Sequence, residues 1–246
     1  MSDGPTHPAT ARIAVELLVF EHFDLLDLGG PYEVLLTANR LAGRQGRSAP
    51  FVVSTLGWTG EQVRAYGGLR VTPDRGLADD PDRGPAPDPG RASVPDPGPA
   101  SGDAADTRVL VVPGAIDVDA VVADGTTLPA IQRAAGRAQL LTSVCTGSLL
   151  LGAAGLLSSA GGATTHHEDL AALGRYLDPA RVIGGVAWVD AGGLVTAGGL
   201  ANGLSMALHL VHRLVDRQLA ENVAFNLSVP WSPEDGVTVP GALTRS

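Results

Sequence analysis

Cysteine occurs only once in this 246-residue sequence, as Cys145, so no internal disulfide can form. The first 12 residues lack an apolar stretch and contain Asp3 and two prolines. This composition is not that of a secretory signal peptide. Together with the single cysteine, it predicts a cytoplasmic protein.

Basic side chains are in the minority. The 17 Lys and Arg residues face 26 Asp and Glu residues, which gives a formal net charge of −9. Nucleic acids and anionic membranes would repel a chain of this charge. We therefore expect neither of them as a partner.

Charged residues are absent between Arg137 and Glu168, a run long enough to cross a bilayer. The run is interrupted by Thr, Ser, Cys and many Gly residues, and the polar pair His166-His167 lies near its end. Because it lacks an uninterrupted apolar block of about 20 residues, we reject a membrane span.

Large apolar residues are almost missing from residues 79–106, which consist mainly of Pro, Asp, Gly and Ala. Such a segment cannot bury enough apolar surface to offset the entropy that ordering would remove. We predict a disordered surface insertion within a single domain at 12–229. A flexible N-terminus (1–11) would precede this domain, and a C-terminal tail (230–246) would follow it.

Short apolar runs alternate with amphipathic segments along the rest of the chain. The apolar runs predict strands at 13–20, 51–56, 108–113, 139–144, 162–166 and 194–197, an extended segment at 182–190 and a hairpin at 63–71. Helices are predicted at 31–41, 117–136 as one or two pieces, 146–157, 168–176 and 204–219. This alternation predicts an α/β domain whose central sheet is mostly parallel and sandwiched by helices.

Cys145 lies at the predicted junction of a buried strand and a helix. Small residues flank it at a spacing of two, Ser143 before it and Gly147 after it, as in a nucleophile elbow. The N–H groups at a helix N-terminus favour a thiolate, so we expect the pKa of Cys145 to be lowered. The alternative is that Cys145 is a small buried apolar side chain without a chemical role.

A second loop carries carboxylates. Gly29-Gly30-Pro31 is predicted to close the loop after the first strand, with Pro31 in the first turn of the following helix. Asp24 or Asp27 would cap that helix. Because ligands bind beyond the carboxyl ends of parallel strands, this loop and the elbow should open on the same side, where a carboxylate and the thiol can meet.

Six motifs from this loop onward resemble those of the isocyanide hydratases, a branch of the PfpI-type, class I glutamine amidotransferase-like superfamily. They follow the expected order: Leu26-Asp27-Leu28-Gly29-Gly30-Pro31, Val112-Pro113-Gly114, Thr142-Ser143-Val144-Cys145-Thr146-Gly147-Ser148, Gly155-Leu156-Leu157, Ala163-Thr164-Thr165-His166 and Thr196-Ala197-Gly198-Gly199. The resemblance covers most of residues 13–226. It implies a flavodoxin-like fold and, since family members usually dimerise, a homodimer.

The resemblance also implies a small-molecule substrate and a mechanism. The thiolate of Cys145 would add to the terminal carbon of an isocyanide, and water would convert the thioimidate to an N-formamide. Asp27 would act as general acid and base, its alternative role being that of a helix cap. The hydroxyl of Thr146 would bond to Asp27 and its N–H would polarise the substrate, unless this threonine only caps the helix. Gly114, Ala115 and His166 are the expected substrate-binding residues.

Neither a cofactor nor a metal is expected. His209, His212 and Asp216 share a helical face, which we interpret as a partly solvated side of the helix. The histidine that follows the nucleophile in protease-like relatives is absent here, as is the first-loop glutamate of glyoxalase or deglycase relatives. His166 is therefore the only remaining candidate for the histidine of a Cys-His-carboxylate triad.

Three positions depart from the hydratase pattern. Ala115 replaces the second glycine of a Pro-Gly-Gly loop, His167 stands where a tryptophan is usual, and Ser205 stands where an aspartate usually begins the last helix. These changes indicate a pocket suited to a different substrate.

Two alternatives to a hydratase remain open at this stage. One is a non-catalytic ligand-binding domain like the sensor half of AraC-type regulators, which look similar across the same motifs. We expect an enzyme rather than a regulator, because no helix-turn-helix region follows the predicted domain and the net charge disfavours DNA. The other is a biosynthetic enzyme that uses the same cysteine on a larger metabolite.

Overall fold

The computed structural model describes residues 13–78 and 107–240. The predicted insertion at 79–106 and the N-terminus at 1–11 lie outside the described residues. The strands within the described residues are β1 (Ile13–Leu18), β2 (Phe51–Gly57), β3 (Val63–Arg64), β4 (Arg70–Val71), β5 (Arg75–Gly76), β6 (Thr107–Val112), β7 (Leu140–Val144), β8 (Trp188–Asp190), β9 (Leu194–Ala197) and β10 (Val237–Thr238). The α-helices are α1 (Leu25–Arg44), α2 (Val118–Ala123), α3 (Thr127–Ala135), α4 (Gly147–Ala153), α5 (Leu170–Leu173), α6 (Asn202–Leu214) and α7 (Arg217–Leu227).

Within the described residues, eight strands form the central sheet in the order β10-β8-β9-β7-β6-β1-β2-β5. All neighbours pair in parallel except β8 and β9. Strands β1, β6 and β7 lie side by side at the centre and are mostly buried, as continuous apolar runs predict. The predicted α/β class with a mostly parallel sheet is confirmed.

The helices pack against the sheet in two groups. One group consists of α1, α6 and α7, which contact one another, and the other consists of α2, α3, α4 and α5. Because β7, β6 and β1 are adjacent and parallel, the loops that follow them emerge at one edge of the sheet. These loops carry Cys145, Gly114 and Asp24, so the sheet itself gathers the candidate site.

Helix α1 begins six residues earlier than predicted. Asp24 caps it by accepting a hydrogen bond from Leu26 N–H at 3.1 Å, and Pro31 lies inside the helix. The prediction that Gly29-Gly30-Pro31 closes a loop is therefore wrong. Gly30 instead allows close helix packing, because a Cβ atom there would lie 3.3 Å from Cγ of Leu204 on α6.

The segment between α4 and β9 is less regular than predicted. In place of a strand at 162–166 there is one bridge, from Ala163 to Val182, and the only strand within 182–190 is β8. The helix predicted at 168–176 is a 3₁₀ turn (His167–Asp169) followed by the four-residue α5. Helix α4 ends at Ala153, short of the predicted Leu157.

The long C-terminal helix predicted at 204–219 is two helices. Helix α6 ends at Leu214, and Asp216 caps α7 through a hydrogen bond from Leu219 N–H at 2.7 Å. Apolar spacing continues across the break, which explains why periodicity alone did not locate it. The predicted hairpin at 63–71 is present as the antiparallel pair β3 and β4.

The segment after Pro230, which we expected to be a tail, adds strand β10 to the sheet beside β8. Val239 N–H donates to the carbonyl of Asp190 at 2.8 Å and continues this pairing. Among the described helices, none combines the length and the apolar character that a bilayer span requires.

Candidate active site

Cys145 occupies the sharp turn between β7 and α4. Its φ angle is 56°, in the left-handed region that non-glycine residues seldom adopt. Its N–H donates to the carbonyl oxygens of Gly198 at 2.9 Å and Ala197 at 3.2 Å, and its own carbonyl accepts from the Thr165 hydroxyl at 3.0 Å. The neighbouring backbone thus holds the strained conformation in place.

The elbow leaves no room for a larger residue after Thr146. A Cβ atom on Gly147 would lie 2.3 Å from the carbonyl oxygen of Val112, at the end of β6. Ser143, on the other side of the elbow, is completely buried. The predicted small residues on both sides of Cys145 therefore lie where there is least room for a side chain.

Asp27 lies in the first turn of α1 and is fully buried. Its Oδ2 accepts a hydrogen bond from Gly114 N–H at 2.9 Å. Its Oδ1 is buried without a partner of normal hydrogen-bond geometry. Burial raises the pKa of Asp27 to about 7. The hydrogen bond from Gly114 opposes this shift, and the charge of Asp24 adds to it.

Cys145 is only 8% exposed. Burial, and then the negative charge of Asp27, raise the pKa of Cys145 to about 11. Hydrogen bonds from Thr146 and Leu200 N–H lower this pKa, but they do not offset the first two effects. The expectation of a lowered pKa is therefore wrong, because it considered the helix N-terminus and neglected both burial and Asp27.

Thr146 joins the elbow to the loop after β6. Its hydroxyl donates to the carbonyl of Ala115 at 2.8 Å and accepts from Ala115 N–H at 2.9 Å. The predicted hydrogen bond from this hydroxyl to Asp27 is not the one that forms. Thr146 instead holds the loop that presents Gly114 N–H to Asp27.

Gly114 lies between the two catalytic candidates Asp27 and Thr146. A Cβ atom at this position would lie 2.5 Å from Oγ1 of Thr146 and 2.9 Å from Oδ2 of Asp27. Ala115 is buried beside it and forms a bridge with Phe23. Gly114 and Ala115 therefore line the Asp27 side of the site.

His166 lies farther along this edge, at the start of a 3₁₀ turn. Its Nδ1 accepts from Glu168 N–H at 3.4 Å, and its ring centroid lies 4.2 Å from that of His167, with the two rings tilted by 40°. Among residues 13–78 and 107–240, no hydrogen bond links His166 to Cys145, so the described contacts do not assemble a Cys-His triad.

Two contributors to the site were missed by sequence reasoning. Leu200 has a positive φ of 34° and its N–H lowers the pKa of the Cys145 thiol, and the Thr165 hydroxyl braces the elbow. The Gly198-Gly199 pair marked a turn before Leu200, but only its three-dimensional position links that turn to the thiol. The part of the chain that the structure describes contains no group of three or more His, Cys, Asp or Glu residues that could hold a metal.

Comparison with known proteins fixes the family. Residues 13–213 match the DJ-1/PfpI family. The chain belongs to the DJ-1/PfpI family. This DJ-1/PfpI protein is 33% identical over 225 residues to isonitrile hydratase from Pseudomonas putida, covering 90% of this chain and 80% of the hydratase.

A regulator is also similar to this DJ-1/PfpI chain. HTH-type transcriptional regulator GbdR from Pseudomonas aeruginosa is 29% identical over 212 residues, which cover 86% of this chain and 49% of the regulator. The chain thus spans about half of the regulator's length.

Solved structures give the same fold. A THiJ/PfpI family protein from Pseudomonas syringae has a TM-score of 0.66 and 25% identity, over 95% of this chain and 84% of that one. An AraC family transcriptional regulator from Pseudomonas putida has a TM-score of 0.59 and 22% identity, over 88% of this chain and 99% of that one.

Proposed function

We propose that this protein hydrates an isocyanide to an N-formamide, with Cys145 as the nucleophile. The observation that carries the proposal is the buried carboxyl of Asp27 beside the thiol, with its pKa raised to about 7. A group of this pKa exchanges protons readily at neutral pH in both directions. The similarity to isonitrile hydratase supports this reaction class.

The first half of the reaction forms a thioimidate. The ionised carboxylate of Asp27 takes the proton from the Cys145 thiol as the sulfur attacks the terminal carbon of R–NC. Asp27 then delivers this proton to the same carbon, giving R–N=CH–S–Cys145. The raised pKa of the thiol fits this sequence, because the nucleophile is generated only when substrate and base are both in place.

The second half releases the product. Asp27 removes a proton from water as its oxygen attacks the thioimidate carbon, and the nitrogen receives that proton. Collapse of the adduct breaks the C–S bond, returns the hydroxyl proton to sulfur and releases R–NH–CHO. The unpartnered Oδ1 of Asp27 is the oxygen free to exchange these protons.

The remaining site residues bind and position the substrate in this proposal. Thr146 N–H, which lowers the pKa of the Cys145 thiol, polarises the bound substrate, while Gly114, Ala115 and His166 form the surrounding wall. The proposal needs no cofactor or metal. We also propose a homodimer in the cytoplasm.

N-formamide formation from an aromatic isocyanide tests the proposal. The wild-type protein should turn over, and Cys145→Ala and Asp27→Asn should each lower kcat at least about a hundredfold, as expected for loss of a nucleophile or a general acid and base. The value of kcat/KM should rise with pH through about 7, where Asp27 ionises. Full activity of either variant would refute the assigned chemistry.

The second candidate function is that of a ligand sensor, favoured by the similarity to GbdR and by a thiol that stays protonated at neutral pH. A sensor would bind its ligand equally well with alanine at position 145. Titration calorimetry of wild-type protein and Cys145→Ala with the same isocyanide or formamide separates binding from turnover.

A further inference from the structure

A cleft of about 300 Å³ adjoins the backbone of the elbow, and it has no role in the reaction proposed above. Thr165, Gly198 and Gly199 form the wall nearest Cys145. Two of these bond directly to the Cys145 backbone: the Thr165 hydroxyl to its carbonyl, and the Gly198 carbonyl to its N–H. The cleft is therefore anchored to the nucleophile itself.

The cleft and the thiol share one stretch of backbone. Gly199 lines the cleft, and the N–H of the next residue, Leu200, lies close enough to the Cys145 sulfur to lower its pKa. The cleft is therefore adjacent to the position of a ligand attached to the sulfur. Its size suits a small substituent rather than a large metabolite.

Two polar side chains in the cleft have unused hydrogen-bonding capacity. Asn202, the first residue of α6, lies close to Gly198, where a Cβ atom would be 2.6 Å from its Nδ2. Among the described residues, its side-chain amide makes no hydrogen bond. The exposed side chain of His167 also lines the cleft, and within the same residues its ring contacts only that of His166, at a tilt of 40°.

The cleft holds no Asp, Glu, Lys or Arg side chain within the described residues. An amide that both donates and accepts, beside an imidazole, matches a neutral partner that does the same. A hydrocarbon in this place would offer these groups no hydrogen-bond partner.

We infer that this cleft selects electrophilic substrates whose substituent on the reacting group is small, neutral and hydrogen-bonding, such as a primary amide, over hydrocarbon substituents. Asn202 and His167 are the residues that make this choice. Applied to the proposed hydratase, the inference rests on that function. It specifies the substrates as isocyanides whose N-substituent is polar.

The test compares two reagents of equal shape. N-(carbamoylmethyl)chloroacetamide and N-isobutylchloroacetamide alkylate Cys145 at rates that mass spectrometry follows, each normalised to its rate with free cysteine. The wild-type protein should favour the carbamoylmethyl reagent about fivefold, roughly the value of one net hydrogen bond. The same substituents on isocyanides should give the same preference in kcat/KM, expressed mainly in KM.

Asn202→Leu keeps the size of the side chain and removes the amide, so the preference for the carbamoylmethyl reagent should disappear. His167→Phe should reduce it. Asn226→Leu makes the same chemical change at an exposed position on α7 and should leave the preference intact. Thermal unfolding of each variant shows whether the fold is retained.

The outcomes separate the two proposals. Equal normalised rates for both reagents, or a preference that survives in folded Asn202→Leu, overturn the inference whatever happens with isocyanides. A preference that is lost only in the cleft variants supports it. If that result comes with no isocyanide turnover, the cleft assignment stands and the hydratase function fails.

Discussion

The carboxyl group of Asp27 and the thiol of Cys145 act on each other inside the protein. The thiol lowers the pKa of Asp27 slightly by donating a hydrogen bond, whereas the charge of Asp27 raises the pKa of Cys145. Both groups therefore favour their protonated forms more than they would in water, mainly because both are buried. Ionising either one requires the other to respond, which makes the pair a single proton-handling unit.

This coupling predicts how the reactivity of Cys145 depends on pH. Because the pKa of the thiol is raised to about 11, its alkylation by iodoacetamide should keep accelerating up to at least pH 10. In Asp27→Asn the repelling charge is gone, so labelling at pH 8 to 9 should be faster than in the wild-type protein. Mass spectrometry of samples quenched at set times gives both rates. A wild-type rate that levels off near pH 8 would contradict the assignment.

Asp27 should also make the stability of the protein depend on pH. Its folded pKa of about 7 lies above the ordinary value of 3.8, so the free energy of unfolding falls as pH rises between these values. At about 1.4 kcal/mol per pH unit, Asp27→Asn should stabilise the protein by up to about 4 kcal/mol above pH 7 and hardly at all below pH 4. Urea unfolding at pH 4 and pH 8 measures the difference. Equal effects at the two pH values would show that Asp27 ionises normally.

Two glycine-to-alanine changes should have opposite effects. In Gly114→Ala the new Cβ atom would lie 2.5 Å from Oγ1 of Thr146, so we expect a loss of about 1 to 3 kcal/mol and of activity. Gly29 lies within α1, where a Cβ atom would meet nothing within 4 Å. Gly29→Ala should therefore stabilise by about 0.5 to 1 kcal/mol and serve as the matched control. Denaturant unfolding of both variants checks the sign; a stable, active Gly114→Ala would mean that the loop moves freely.

A second buried carboxylate, that of Asp190, should stabilise the fold rather than take part in chemistry. It bonds to Nε2 of His209 at 2.7 Å and accepts from Nη1 of Arg213 at 2.9 Å. Burial alone would raise the pKa of Asp190, but the hydrogen bond from His209 and the charge of Arg213 hold it below its ordinary value. Asp190→Asn should destabilise the protein by about 2 to 4 kcal/mol at pH 7. This range allows for solvent screening of the ion pair, because Arg213 is partly exposed.

The pH dependence of Asp190→Asn has the opposite direction to that of Asp27→Asn. A carboxyl with a lowered folded pKa contributes stability above its unfolded pKa of about 3.9, and this is lost as pH falls. The variant and the wild-type protein should therefore become more alike in stability as the pH falls below about 4. Asp117→Asn, at an exposed helix cap where asparagine caps equally well, is the control. A constant difference at all pH values would indicate a packing defect instead.

Much of the fold and the central site followed from the sequence, because both depend on local pattern. Apolar runs located β1, β2, β6, β7 and β9, and small residues around Cys145 located the elbow. The start of α1 was missed because Gly29-Gly30-Pro31 was interpreted as a loop, whereas Gly30 serves close packing against Leu204. The break at Asp216 and the pairing of β10 with β8 depend on distant contacts that no local pattern records.

Electrostatics was the least predictable part of the site. A helix N-terminus beside Cys145 suggested an easily ionised thiol, but a fully buried Asp27 beside it reverses the direction of the pKa shift. The sequence indicates which groups are present, whereas their burial and mutual distance come only from the fold.

The sheet is bounded on both sides by very short strands. Its outermost members in the described residues are β5 (Arg75–Gly76) and β10 (Val237–Thr238), each only two residues long. So short an edge offers few unpaired backbone groups to another strand, which disfavours joining of sheets between molecules and growth into fibrils. Stable association of this protein with itself or with a partner is therefore expected to use its helices and loops rather than a continuous intermolecular sheet.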